Sequence, residues 1–162
     1  MTIVRPATDA DADAIWSVLE PVIRGAETYA LPPDMTRNDA LAYWCAPDHE
    51  VLVAAETGDV VGTYFLCANQ LGGGAHVANC GYVTAHAAQG RGIARAMCAH
   101  SIERAKAAGF KAMQFNFVVS TNERAINLWQ SFGFEVVGRL PNAFQHPSRG
   151  FVDVYVMFLR LA

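Results

Sequence analysis

Thr84-Ala85-His86-Ala87-Ala88-Gln89-Gly90-Arg91-Gly92-Ile93-Ala94-Arg95 is the stretch that decides the fold. A strand-like run from Ala75 to Thr84 ends here, a glycine-bearing turn follows, and the best helical pattern of the chain begins. Along Gly90 to Ala108 the small and apolar residues Ala94, Met97, Cys98, Ser101, Ala105 and Ala108 share one face, and Gly109 is a fitting stop. A helix start exposes unpartnered amides and the positive end of the helix dipole, which together make an anion site. Glycine lets the backbone come close to phosphate oxygens. A tight turn without a ligand is the plainer reading of the same residues. A P-loop is excluded, because no Gly-Lys pair occurs. A dinucleotide fingerprint is excluded too: Arg95 stands where a third small residue is needed, and several strands precede the turn.

Towards the N-terminus, Glu50 to Glu56 and Val60 to Asn69 flank Thr57-Gly58-Asp59, a hairpin signal. Leu71 to Gly74 makes a second turn before the Ala75 strand, and Gly81 within that strand marks a bulge or a close backbone approach. Further back, Thr2 to Ala7 reads as a strand. A helix capped by Thr8 or Asp9 carries Ile15, Trp16, Leu19, Val22 and Ile23 on one face, with Pro21 expected to kink it or start a new turn. Gly25 to Pro33 reads as a loop. Thr36, with Asp39 three residues on, caps a short helix to Trp44. Towards the C-terminus come a strand from Ala112 to Val118, a helix capped by Ser120 or Thr121 and running to about Ser131, and strands Phe134 to Leu140 and Phe151 to Leu159. Hairpins mixed with a strand-helix-strand crossover predict an α/β sheet of mixed direction with helices on both faces.

The 162 residues suit one domain, read as residues 1–162. At 52% hydrophobic and 17% charged, the chain is no disordered segment. A net charge of −3 without a basic block gives no support to nucleic-acid binding. No apolar run approaches about 18 residues and no secretory leader is visible, so no membrane partner and a cytoplasmic location are expected. The four cysteines, Cys45, Cys67, Cys80 and Cys98, form no CxxC pair and read as reduced, mostly buried thiols. The five histidines have no ligand spacing, so no metal is expected. No GxSxG elbow is present.

Gln89-Gly90-Arg91-Gly92-Ile93-Ala94 resembles the Q/R-x-x-G-x-G/A signature of the GCN5-related N-acetyltransferases (GNAT). Asn122-Glu123-Arg124-Ala125-Ile126-Asn127-Leu128-Trp129-Gln130-Ser131-Phe132-Gly133-Phe134 resembles the family's N-x-x-A-x-x-L-Y-x-x-x-G-F block. The resemblance implies the GNAT fold: a mixed, mostly antiparallel sheet of about seven strands, helices on both faces, and a splayed central strand pair. It implies acetyl-CoA as cosubstrate. Gln89, Gly90, Arg91, Gly92, Ile93 and Ala94 would hold its diphosphate, mostly through backbone. Tyr82, Val83 and Thr84 would pair with the pantetheine arm, one amide polarising the thioester carbonyl. Asn122 would hydrogen-bond the cofactor. Trp129 departs from the pattern: many members carry there a tyrosine thought to protonate the leaving thiolate, and an indole N–H is no useful acid. Trp129 is then expected to pack beside the cofactor.

On the acceptor side, Asn79, Asn116 and Asn122 form the most suggestive set. Asn116 lies among Phe115, Phe117 and Val118, where a buried amide needs partners. These asparagines, with Gly138-Arg139-Leu140-Pro141 and Phe151-Val152-Asp153-Val154-Tyr155, resemble the fungal acetyltransferases acting on proline analogues such as azetidine-2-carboxylate. Asn79 and Asn116 would orient acceptor and thioester. Glu27, in the loop with Tyr29, or water would take the proton. His76, His86 and His146 are alternative proton carriers, and Arg24, Arg37 and Arg149 are candidate cations for an acidic acceptor. The acceptor is read as a small-molecule amine, an amino acid or its analogue. A protein or peptide amine and a non-catalytic acyl-CoA-binding module are the alternatives. Family behaviour implies a homodimer, with Val152 to Leu159 as a candidate joining segment.

Overall fold

The computed structural model describes residues 1–161. Its seven strands are β1 (Ile3–Pro6), β2 (Glu50–Glu56), β3 (Asp59–Ala68), β4 (Val77–Thr84), β5 (Ala112–Val119), β6 (Glu135–His146) and β7 (Gly150–Arg160). They form one sheet in the order β1-β2-β3-β4-β5-β7-β6. Every neighbouring pair is antiparallel except β4 and β5, which run parallel. Helices α1 (Ala12–Gly25) and α2 (Arg37–Trp44) cover one face, where Ile15, Leu19, Ile23 and Trp44 meet Val53, Phe65 and Val83. Helices α3 (Ile93–Ala107) and α4 (Glu123–Ser131) cover the other, where Met97, Cys98, Ile126 and Trp129 meet Leu52, Tyr64, Cys80, Met113 and Phe115. No described helix is long and apolar enough to cross a membrane.

Local chemistry explains most of these elements. Thr57 and Gly58 both take positive φ, 49° and 91°, the conformation a two-residue hairpin with right-handed strand twist requires. The Thr36 hydroxyl accepts from the Asp39 amide at 3.2 Å and caps α2 as expected. Pro21 does not divide α1, which runs unbroken from Ala12 to Gly25. The Ser17 carbonyl, which the missing N–H would have bonded, belongs to a residue that faces solvent.

The chain enters α1 through buried Asp11. Its carboxylate accepts both guanidinium nitrogens of Arg5, at 2.8 and 2.9 Å, and the Thr8 amide at 2.8 Å. The Arg5 hydrogen bonds hold the acid down to about 2, below an ordinary aspartate near 4. A depressed folded pKa gives stability that is full above the unfolded value and lost as the folded value is crossed. Acid titration is therefore expected to show a loss of stability between about pH 4 and pH 2 that Asp11→Asn abolishes. An unchanged acid limb in that variant would show that the pair contributes nothing.

The C-terminal strands differ from expectation. The strand predicted to end at Leu140 continues to His146, and β7 is internal, leaving β6 as the sheet edge. The register slips between Leu140 and Phe144, so Pro141, which lacks a ladder N–H, sits in a bulge. Asn142 turns to φ 51°, and its amide donates to the Asp153 carboxylate at 3.0 Å. The segment proposed to join two copies is therefore paired on both sides within one chain.

The feature that positions the site is the meeting of β4 and β5. They share only the pairs Val77–Ala112 and Ala78–Met113, and then diverge. Beyond the split, β5 bulges against β7 between Phe115 and Val118.

Candidate active site

The divergence opens a cavity of about 920 Å³ between β4 and β5. One end meets the glycine turn. Gly90 and Gly92 both adopt φ +81°, and the helix begins at Ile93, later than the Gly90 start the sequence suggests. Gln89, Gly90, Gly92, Ile93 and Ala94 line this end together with Arg95 and Arg124. The Arg124 guanidinium stands 3.3 Å from where a side chain on Gly90 would begin. Those two arginines are the charged groups lining the cavity among the described residues: Arg124 stands beside the free amides of the turn, while the Arg95 guanidinium donates to Ser131 Oγ at 3.3 Å and lies over the Phe132 ring. That suits a diphosphate. Arg91 points elsewhere: it is exposed, pairs with Glu56 at 2.7 Å and does not line the cavity. The sequence reading missed the side chains of Arg95 and Arg124, although both lie within its motifs.

Along the wall, hydrogen bonds show which way β4 faces. Val77 and Ala85 bond towards β3, while the His76 carbonyl accepts from Lys111 on the β5 side. Strand alternation then directs the backbone N–H and C=O of Cys80, Tyr82 and Thr84 into the split. Val83, expected with them, is buried in the α1/α2 core, and its backbone belongs to the β3 side. Asn122 precedes α4 and lines the cavity without a side-chain capping bond, so its amide is uncommitted. Trp129 is buried, with its ring 4.9 Å from Tyr82 and 5.2 Å from Phe115. It packs at the cavity wall.

The other end is neutral and aromatic. Tyr29, Tyr43, Phe65, Asn79, Asn116 and Phe117 line it. Asn79 shares strand parity with Val83, which puts it on the α1/α2 face. Asn116 is exposed, contrary to expectation: the β5 bulge turns it out of the apolar run that surrounds it in sequence. Its partners are side chains the sequence did not single out. Nδ2 donates to Asn69 Oδ1 at 2.6 Å, and Oδ1 accepts from Gln114 Nε2 at 2.9 Å. Gly81 makes no bulge but a close approach, since an added Cβ would stand 2.5 Å from the Phe65 ring and 3.1 Å from the Tyr29 hydroxyl.

Several candidates lie elsewhere. Glu27 is exposed and outside the lining, because the left-handed turn at Ala26, φ 53°, ends α1 and sends the loop inward only from Thr28. His76 and His86 are exposed and outside the cavity. His146 is buried at the end of β6, where Nδ1 accepts from the Ser148 amide at 3.1 Å, so it braces a turn. Arg24 is bound to the carbonyls of Pro33 and Met35, Arg37 pairs with Asp13, and Arg149 lies in the exposed β6–β7 turn. All four thiols are free, though Cys45 is exposed and Cys67 only half-buried. Burial pushes Cys67 up to about 11 and Cys98 up to about 12, so neither is an activated thiolate.

The model of the Acetyltransferase (GNAT) family matches residues 16–134. The N-acetyltransferase aca1 of Schizosaccharomyces pombe is 26% identical over 151 residues, covering 83% of this chain and 72% of that protein. A GCN5-related N-acetyltransferase from Kribbella flavida superposes with a TM-score of 0.94 at 42% identity, over 98% of this chain and 97% of that one. The structure of yncA from Salmonella typhimurium with its cofactor acetyl-CoA superposes at 0.87 with 24% identity, over 99% and 94% of the two chains.

Proposed function

Because the chain belongs to the GNAT family of acetyl-CoA-dependent N-acetyltransferases, we propose that it acetylates the amine of a small molecule, an amino acid or its analogue. The observation that carries this reading is the neutral end of the cavity, where aromatic walls and asparagine amides stand without a carboxylate among the described residues. A basic peptide has no acid to meet there. A small acceptor has rings to pack on and amide N–H groups to receive its carboxylate. The diphosphate of acetyl-CoA lies at Gln89 to Ala94 with Arg95 and Arg124, and its arm lies along the edge groups of Tyr82 and Thr84.

In the reaction the neutral amine nitrogen attacks the thioester carbon. A C–N bond forms, the carbonyl oxygen takes the charge, the C–S bond breaks and coenzyme A leaves as thiolate. Among the described residues no carboxylate lines the cavity, and water takes the ammonium proton. The uncharged, aromatic lining of the acceptor end favours the neutral amine over its ammonium form. Trp129 supplies no proton. A thiolate whose conjugate thiol has a pKa of about 8.5 is stable enough to leave without one. Asn79 and Asn116 orient the acceptor, with Asn69 and Gln114 fixing the Asn116 amide. A homodimer and a cytoplasmic location accompany this reading. The exposed apolar residues Val136, Val137 and Leu140 of edge strand β6 support the former.

The test is thiol release from acetyl-CoA with proline analogues, methionine sulfoximine, phosphinothricin, polyamines and short peptides. Release with a small amine is expected. Asn79→Ala and Asn116→Ala are each expected to lower kcat/KM for that amine about 10- to 100-fold, the value of one or two lost hydrogen bonds, with acetyl-CoA binding unchanged. Release with peptides alone would replace the small acceptor by a protein one.

A further inference from the structure

Tyr82 carries a backbone N–H and C=O that the strand split leaves without a β5 partner. The hydroxyl of Tyr29 serves both. It accepts from Tyr82 N–H at 2.8 Å and donates to Tyr82 C=O at 3.0 Å, replacing one missing rung of the sheet. This contact crosses 53 residues of sequence. The Tyr82 side chain is not involved, since its own hydroxyl meets Ser101 at 2.6 Å on the opposite face.

The placement of Tyr29 is built in. Its ring meets Trp44 edge to face at 6.0 Å. Trp44 is fixed by an Nε1 bond to Thr63 Oγ1 at 3.2 Å, and that hydroxyl donates to the Leu52 carbonyl at 2.8 Å. Gly81 leaves the Tyr29 hydroxyl its path to the edge, for a Cβ there would stand 3.1 Å from it. Burial pushes the phenol further up, so the proton stays on the oxygen at neutral pH.

We propose that Tyr29 is a catalytic donor: its O–H, itself accepting from Tyr82 N–H, turns to the thioester carbonyl oxygen and stabilises the charge that forms there. This rests on the reading that the acyl donor's arm lies along β4. From Thr84 back to Asn79 the strand spans about 17 Å, which brings an arm anchored at the glycine turn to the Tyr82 level. An amide N–H of the arm takes the Tyr82 carbonyl as an added strand would, and the Tyr29 proton is released to point elsewhere. A hydroxyl that accepts from an amide is a stronger donor than one that does not. The charge on the oxygen returns to the carbonyl when the C–S bond breaks, and Tyr29 keeps its proton throughout.

The experiment is Tyr29→Phe in the whole protein. Phenylalanine keeps the packing on Trp44. The expected result is a fall in kcat of about 10²- to 10³-fold, with the acetyl-CoA KM held within about threefold. The second measurement needs no acceptor. Carbonyl-¹³C acetyl-CoA bound to the native protein is expected to show its infrared band shifted to lower frequency, and Tyr29→Phe is expected to move it back towards the free value. The same band in both proteins overturns the proposal. So does tighter cofactor binding with unchanged kcat, because the hydroxyl is then a plug that the arm displaces. If the variant does not fold, an unshifted band in the native protein overturns it too. If no amine in the panel is acetylated, the small-molecule reading fails while the infrared result still decides the role of Tyr29.

Discussion

Replacing Gly90 and Gly92 together by alanine is expected to raise the Kd for acetyl-CoA by roughly 10²- to 10³-fold. Both positions have φ +81°, where an L side chain costs about 1–2 kcal/mol. The chain relieves that strain by rotating the turn, and rotation re-aims the amides. Hydrogen bonds to a charged group are worth about 1.5–3 kcal/mol each, so losing one or two gives the stated range. The two sites act differently. A Cβ on Gly92 meets nothing within 4 Å, so strain alone operates there, whereas a Cβ on Gly90 stands 3.3 Å from Arg124 Nη2, so that guanidinium also gives way by a few tenths of an ångström. Calorimetry checks this directly. A lowered Tm with an unchanged Kd would make the turn a purely structural stop to β4.

Gly81→Ala is expected to be the most destabilising single change near the site. Its Cβ would stand 2.5 Å from a Phe65 ring atom. The ring has little room to retreat: it stacks on His49 at 4.0 Å and meets Trp44 edge-on at 4.9 Å. Overpacking of this kind costs about 1–3 kcal/mol, and the rigid aromatic surroundings place it at the upper end, a Tm loss of roughly 6–12 °C. The same Cβ crowds the Tyr29 hydroxyl, so activity falls along with stability. Thermal unfolding tests the claim, and a Tm within about 2 °C of the native protein would mean that the cluster yields more easily than its geometry suggests.

What the sequence revealed follows the reach of each signal. The glycine turn, the Thr57-Gly58 hairpin and the Thr36 cap were legible because each is set by residues within a few positions of one another. The asparagine environment was not. Apolar neighbours made Asn116 look buried, but a bulge in register with β7 turns it outward to Asn69, 47 residues away. Pro141 looked like the end of a strand, and only Asp153, on the next strand, shows how β6 carries on through it. Glu27 and Tyr29 stand two apart in one loop, yet one faces water and the other faces the cavity. No local pattern distinguishes them. The one that faces the cavity is the one whose partner, Tyr82, lies 53 residues further along the chain.

The shortness of the β4–β5 seam has a consequence for motion. The sheet is two leaves, β1 to β4 and β5 to β7, laced together by two register pairs and then free to part. Local opening draws on the least-paired parts of a structure, so amide exchange is expected to be faster at the split ends of β4 and β5 than at the Val77–Ala112 seam. A substrate arm placed between them would act as a splint across that opening. Its binding free energy and the stiffness it imposes are then linked quantities, and a mutation that loosens the leaves weakens binding without touching the ligand.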